Sequence, residues 1–287
     1  MLDQAHLSRR HFLAASAVAA VLPKFAAAAE APAKMRYGLV TYMWGADWDL
    51  PTLIKNCQAT GLEGFELRTT HAHKVEPTLT SADRADVKKR LADSPVTCVG
   101  LGSNERFDDP KPEVLKKAIT DSKAFLQLSH DIGTSGVKVK PDRFYPDVPR
   151  EKTIEQIGTS LNELGKFAQD LGQEVRLEVH GQCAELPTIA AIMTVADHTS
   201  VKVCWNSNMD DLKGEGLEAN FRMVRSRFGK TLHVRELEDP KYPFAKLFEL
   251  LKETKYDGWV LCEAASKVED RIEALRKQKA LFDKLTG

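Results

Sequence analysis

Residues 175–182, VRLEVHGQ, alternate apolar and polar side chains. In an extended chain successive side chains point to opposite faces, so Val175, Leu177 and Val179 share one face and Arg176, Glu178 and His180 the other. A one-sided antiparallel strand would put the charged face in water. In a closed parallel barrel one strand face meets helices and the other meets the lumen, with none left for solvent. Which surface receives Arg176, Glu178 and His180 therefore decides the fold.

Neighbouring segments repeat the pattern. Phe65 and Leu67 alternate with Glu66 and Arg68, Val137 and Val139 with Lys138 and Lys140, and Leu232 and Val234 with His233 and Arg235; Val260 and Cys262 alternate with Leu261 and Glu263. Strand-like runs fall at 35–42, 62–68, 96–102, 135–141, 175–181, 201–208, 231–237 and 257–264. Helix-like stretches separate them at 50–60, 82–92, 112–132, 154–171, 186–197, 217–228, 244–254 and 268–285. Leu161, Leu164, Phe167, Ala168 and Leu171 show the three-and-four spacing of a helix with one buried face. Eight strands alternating with eight helices predict a single (β/α)8 TIM barrel over residues 35–287, close to the ~250 residues typical of that fold. An open doubly wound sheet fits less well, because no glycine-rich phosphate loop follows the first strand.

The chain has 287 residues, 43% of them hydrophobic, with 41 basic and 41 acidic side chains. That balance suits a globular protein with a full core. Zero net charge and no basic block argue against nucleic acid or an anionic membrane surface as a partner. A small molecule is the expected partner, and a homo-oligomer stays open. Residues 1–29 stand apart: Ser8-Arg9-Arg10-His11-Phe12-Leu13 precedes an alanine-rich apolar run and a small-residue region ending at Ala29. The segment resembles a twin-arginine export signal, which implies cleavage after Ala29 and a periplasmic or otherwise exported location. Its apolar run is too short and alanine-rich for stable membrane insertion. The five cysteines form no CxxC or His/Cys metal spacing and read as free structural thiols.

Charges inside a lumen are costly unless they pair, hydrogen-bond or hold a metal. Any one of Glu178, His180, His233, Arg235 and Glu263 could belong to a salt-bridged plug, but all five at strand ends ask for a ligand. That end of a barrel is where active sites are built. Carboxylates and imidazoles from different strands suit a hard or borderline divalent ion.

Three stretches carry a family resemblance. LEVH (177–180), LHVRE (232–236) and GWVLCE (258–263) resemble the fifth, seventh and eighth strands of xylose-isomerase-like TIM barrels of the sugar phosphate isomerase/epimerase type. That family includes ketose 3-epimerases, hydroxypyruvate isomerase, inosose dehydratase and relatives of endonuclease IV. The resemblance implies a divalent metal ion (Mn, Mg, Co or Zn) held by Glu178, Asn206, His233 and Glu263. Asn206 departs from the pattern, since an Asp is usual there and the His often found three residues later is Met209. An amide oxygen ligates without charge, so weaker metal binding is expected, or a ligand set completed by His180 or Asn208.

The implied chemistry is proton transfer next to a carbonyl. Glu178 and Glu263 are the expected acid and base, and His180, Arg235 and Lys140 the expected substrate-binding residues. A metal-dependent sugar isomerase or epimerase is the leading expectation. A lyase or dehydratase on a keto-sugar or 3-keto-glycoside and a non-catalytic sugar-binding barrel are the alternatives. The inward residues lean cationic, which suits an oxygen-rich or anionic ligand, with a phosphosugar the less expected case because exported enzymes more often meet unphosphorylated sugars. His71 and His73 read as a solvated loop, with a lid contact or a second metal site as the alternatives. Trp44 and Trp48 read as sugar-stacking rings or caps on the barrel.

Overall fold

The computed structural model describes residues 34–287. The Arg9-Arg10 motif and the expected cleavage after Ala29 lie outside them. Strands and helices alternate strictly. The first half of the barrel comprises β1 (Arg36–Val40), α1 (Leu50–Ala59), β2 (Gly64–Arg68), α2 (Ser81–Ala92), β3 (Thr97–Arg106), α3 (Pro112–Ile132), β4 (Gly136–Lys140) and α4 (Arg150–Asp170). The second comprises β5 (Glu174–Glu178), α5 (Leu186–Val195), β6 (Val201–Cys204), α6 (Leu217–Val224), β7 (Thr231–Val234), α7 (Phe244–Glu253), β8 (Trp259–Cys262) and α8 (Arg271–Thr286).

All strand pairs are parallel, in the order β6-β5-β4-β3-β2-β1-β8-β7. Between β6 and β7 the ladder thins to two isolated bridges, Val203 with Phe228 and Asn206 with His233. Backbone bonds still cross the seam: Gly229 N donates to Val203 O at 2.9 Å, His233 N to Trp205 O at 2.7 Å and Ser207 N to His233 O at 3.1 Å. The result is the expected (β/α)8 barrel, closed but for this thin seam.

Local chemistry sets the boundaries. Thr80 and Asp83 form a reciprocal capping box at the start of α2, and Asp270 accepts from Ile272 N and Glu273 N, starting α8 three residues later than the apolar pattern suggests. α4 begins at Arg150, earlier than expected, because its polar first turn shows no apolar periodicity. β5 and β6 end earlier than expected. The chain leaves the ladder at Gly181 with φ +67°, where an added Cβ would sit 2.3 Å from Asp142 O.

Val175, Leu177 and Val179 are buried in the main core, whereas Arg176 and Glu178 are buried on the opposite, lumenal face. Val40, Val99, Trp259 and Leu261 form a separate apolar cluster. Glycines make room for the longest lumenal side chains. A Cβ on Gly64 would lie 2.5 Å from the Trp259 ring, and one on Gly100 would lie 2.7 Å from Arg176 Nη1. A Cβ on Gly136 would lie 3.0 Å from Arg176 Cζ. Large side chains from β5 and β8 thus fill space left by β2, β3 and β4. All five cysteines are free and buried, and burial pushes the Cys57, Cys183 and Cys262 thiols up to about 12. They are packing residues, as expected.

The glycine fit is testable at Gly64, where a methyl would also meet Thr97 O at 2.9 Å. Gly64→Ala is expected to cost roughly 1–3 kcal/mol of stability by overpacking. Urea denaturation would measure it, and an unchanged midpoint would mean Trp259 can move aside.

Candidate active site

Five ionisable side chains meet in the lumen, each delivered by a different strand or strand end. Glu66 (β2), Lys138 (β4), Glu178 (β5) and His233 (β7) are buried, and Glu263, one residue past β8, is 8% exposed. Lys138 Nζ lies 2.9 Å from Glu178 Oε2 and donates to Ser103 O at 3.3 Å. His233 bridges two acidic environments: Nδ1 lies 3.3 Å from Glu178 Oε1 and 3.8 Å from Glu263 Oε2, and Nε2 lies 3.2 Å from Glu66 Oε1. Asn206 Nδ2 donates to Glu178 Oε1 at 2.9 Å and to Glu263 Oε2 at 3.1 Å.

Burial and pairing oppose one another here. Burial would raise the Glu178 carboxyl, yet Lys138 and His233 hold it well below the usual carboxylate range. Burial would likewise lower His233, but the Glu66 and Glu178 carboxylates beside it hold the imidazole well above its ordinary value. Lys138 stays charged against its own burial because Glu178, Glu263 and Glu66 surround it. The charges therefore persist without solvent because each has an opposite neighbour.

The same arrangement fits a divalent cation. Glu178, His233 and Glu263 bring ligand atoms within 4.8 Å of one another, and their oxygen and nitrogen donors suit a hard or borderline ion. Glu66 beside Nε2 leaves Nδ1 facing the two carboxylates, as an acid behind a metal-binding histidine does. Asn206 stands in the same place, but its amide nitrogen faces the carboxylates, so ligation through oxygen requires the amide to turn over. His180 is not in this cluster.

Above the cluster opens a pocket of about 230 Å³ lined by Glu178, Glu263 and Asn206 and, toward the mouth, by Tyr42, Arg68, Lys140, His180 and Arg235. His180 has left the strand: it precedes the short turn Gly181–Cys183, and its Nδ1 lies 2.7 Å from Asp142 Oδ1. Asp142 is also held by Arg106 at 2.9 Å, and these two partners keep its carboxyl well below its usual range. Lys140 and Arg235 line the pocket as strand parity suggested. Tyr42, two residues beyond β1, was missed although it continues the Gly38–Val40 face. Asp142 was missed because it reaches His180 from a different loop.

Other expected features lie elsewhere. His73 is a buried structural residue, with Nε2 2.8 Å from Arg68 O and Nδ1 accepting from Val75 N. His71 Nδ1 sits 3.2 Å from Thr41 Oγ1, and neither histidine joins a metal-binding group among the described residues. The solvated-loop expectation thus fails for His73, whose ring nitrogens are spent on the turn around it. Trp44 and Trp48 are buried in the main core and do not line the pocket: Trp44 Nε1 donates to Ser266 O at 2.8 Å, and Arg271 stacks over Trp48 at 4.9 Å.

A barrel with a charged pocket at the C-terminal ends of its strands is an enzyme architecture. The chain belongs to the xylose isomerase-like TIM barrel family, which it matches over residues 54–285. No curated protein matches it by sequence. Among solved structures it is similar to the apo form of 3-keto-D-glucoside 4-epimerase, YcjR, from E. coli, with TM-score 0.74, 17% identity, and coverage of 88% of this chain and 100% of that one. D-allulose 3-epimerase from Methylomonas sp. in complex with D-allulose gives TM-score 0.74 at 17% identity, covering 88% and 98%. The IolI protein with a bound zinc atom gives 0.73 at 15%, again covering 88% and 98%. At such identities the likeness is one of fold.

The rim carries its own buried acid. Asp211, in the turn Met209–Leu212 after β6, accepts from Tyr242 Oη at 2.6 Å and Asn208 N at 3.1 Å, tying the loops after β6 and β7 together. Burial pushes its carboxyl up to about 7, against the bonds from Tyr242 and Asn208. The folded protein thus keeps this proton over a range where an unfolded Asp, with pKa about 3.9, has lost it. Stability from this group is full below about pH 4 and falls as pH rises toward 7. Asp211→Asn should remove that fall and raise stability at pH 8 by on the order of a few kcal/mol. Melting temperatures from pH 4 to 8 test this; parallel curves for the two proteins would show that Asp211 titrates normally.

Proposed function

We propose that this protein is a divalent-metal-dependent isomerase or epimerase of a keto-sugar or related polyol, acting by proton transfer next to a carbonyl. The supporting observation is the convergence of Glu178, His233 and Glu263 within 4.8 Å at the base of a polar pocket. The carbohydrate class is supported by similarly folded structures named as sugar epimerases. Glu178, His233 and Glu263, with Asn206, would hold the divalent ion, which would supply Lewis acidity for the developing enediolate.

The protein's own groups account for the proton. Glu178 is the residue placed to accept a proton from carbon: Lys138 and His233 keep it ionised in spite of its burial, while lowering its basicity. Glu263 faces it across Asn206 and is the partner that returns a proton to the opposite face or the adjacent carbon. His180, aimed by Asp142, and Lys140 and Arg235 at the mouth bind substrate oxygens. One observation favours elimination as a second reading: an imidazole backed by a carboxylate could protonate a departing oxygen. The twin-arginine resemblance of residues 8–29 supports export, and we place the reaction outside the cytoplasm on that basis.

Incubation of the metal-loaded protein with keto-sugars and keto-glycosides in deuterium oxide is expected to label the carbon beside the carbonyl. Glu263→Gln should reduce labelling by roughly 10²-fold or more while leaving the circular dichroism spectrum intact. Labelling retained in that variant would remove Glu263 from catalysis, an unsaturated or dehydrated product would establish the lyase, and binding without exchange would leave a sugar-binding barrel. Asn206→Asp tests the ligand set separately. Its carboxylate would lose both amide bonds and repel Glu178 and Glu263, so the metal-free variant should melt lower and bind metal more tightly by calorimetry. Equal metal affinity in the two proteins would take Asn206 out of the set.

A further inference from the structure

The acids that line the pocket all have partners. Glu178 is paired with Lys138 at 2.9 Å, Glu263 accepts from Asn206 at 3.1 Å, and Asp210 is paired with Lys213. His180 is committed to Asp142, which is itself shared with Arg106.

The cations of the same lining are not matched in this way. Lys140, at the end of β4, makes no ion pair among the described residues. Arg68, at the end of β2, donates to the neutral Asn104 Oδ1 at 3.2 Å and lies 4.9 Å over the Tyr42 ring, and makes no ion pair among the described residues. Arg235, just past β7, is 3.9 Å from Glu236 Oε2, a loose contact with an acid whose other oxygen accepts from Ala265 N and Ser266 N. Three positive groups from three strand ends thus face one pocket of about 230 Å³ without a full counter-charge.

We propose that Arg68, Lys140 and Arg235 form an anion subsite, so that the substrate is a keto-sugar carrying a carboxylate or a phosphate at the end away from the reacting carbons. The proposal rests on the isomerase or epimerase reading of the same pocket. A guanidinium binds either anion through paired N–H donors, and an ammonium adds a compact charge, so two arginines and a lysine can surround one such group from several sides. Ligand binding also relieves a cost already present in the free protein. Burial and the Lys138 charge lower the pKa of Lys140 more than Glu178 and Asp142 raise it, and Arg68 adds to the lowering, so an anion at its side offsets the balance. The division of labour is spatial: the lumenal cluster addresses the reacting carbons, and the rim addresses the remote end. Binding energy gathered there positions the carbonyl without touching it.

Calorimetric titration with glucose, glucuronate and glucose 6-phosphate presents one ring in neutral, carboxylate and phosphate forms. At low ionic strength at least one charged ring should bind tenfold or more tightly than glucose, and the margin should narrow as salt is added. The tighter of the two identifies which anion the subsite takes. In Lys140→Met and in Arg68→Gln the charged-to-neutral affinity ratio should fall about tenfold, with Lys140→Arg restoring most of it. Equal affinities for the three rings, or no binding by either charged ring, overturn the subsite, as does a ratio unmoved by both substitutions in protein whose circular dichroism is unchanged. The two readings fail separately: deuterium exchange into a neutral keto-sugar without anion preference sinks the subsite alone, whereas anion preference without exchange on any keto-sugar sinks the isomerase or epimerase reading alone.

Discussion

The structure depends on the cost of holding charge in a dry lumen. Lys138, Glu178, His233 and Glu66 are all buried, and an isolated charge at such depth would cost several kcal/mol. Each is tolerated because another strand places an opposite charge within about hydrogen-bonding reach, as in Lys138–Glu178 at 2.9 Å and His233–Glu66 at 3.2 Å. The pairs are mutually dependent: removing one member would strand the others. This coupling explains how carboxylates remain ionised in a place that would otherwise protonate them. Ionised carboxylates are what metal ligation and proton abstraction both require.

Steric economy supports that electrostatic layer from within. Arg176 and Trp259 could not enter the lumen past side chains on β2, β3 and β4, and Gly64, Gly100 and Gly136 leave the space they occupy. Gly102 serves the charged layer in the same way, since a Cβ there would lie 3.0 Å from Glu66 Oε1. Packing and charge are therefore one problem: the glycines admit the long polar side chains, and the ion pairs make their burial tolerable. Around the mouth, bonds between loops supply order where the ladder has ended. Asp142–His180, Asp211–Tyr242 and Trp44–Ser266 each join loops that follow different strands.

The thin β6–β7 seam has a functional bearing. Asn206 lies past the end of β6 and is held opposite His233 by an isolated bridge, so two residues of the candidate metal centre sit on the weakest join of the barrel. Both are nevertheless held: His233 N and O each take part in a backbone bond across the seam, and Asn206 is tied through its side chain to β5 and to the end of β8. Side-chain bonds thus do at the seam what a continuous ladder does elsewhere.

Residues with a regular period were legible in the sequence, because alternation along a strand is a local property. The two-residue alternation in VRLEVHGQ, repeated in four other segments, determined that one strand face is apolar and the other ionisable, and the count of strands and helices determined a barrel. From that parity the lumenal positions of Glu66, Lys138, Glu178, His233 and Glu263 follow directly. Tertiary structure alone decided which of these charges meet. Strand parity says that a side chain points inward but not how far along the axis it reaches, and so it could not show Lys138 against Glu178 or Asn206 between two glutamates. It was silent too about loops, where no period exists: Asp142 finds His180 from 38 residues away, and His73 turns inward on its own backbone. Distances between strands arise from stagger and closure of the whole barrel, and no single stretch of sequence contains them.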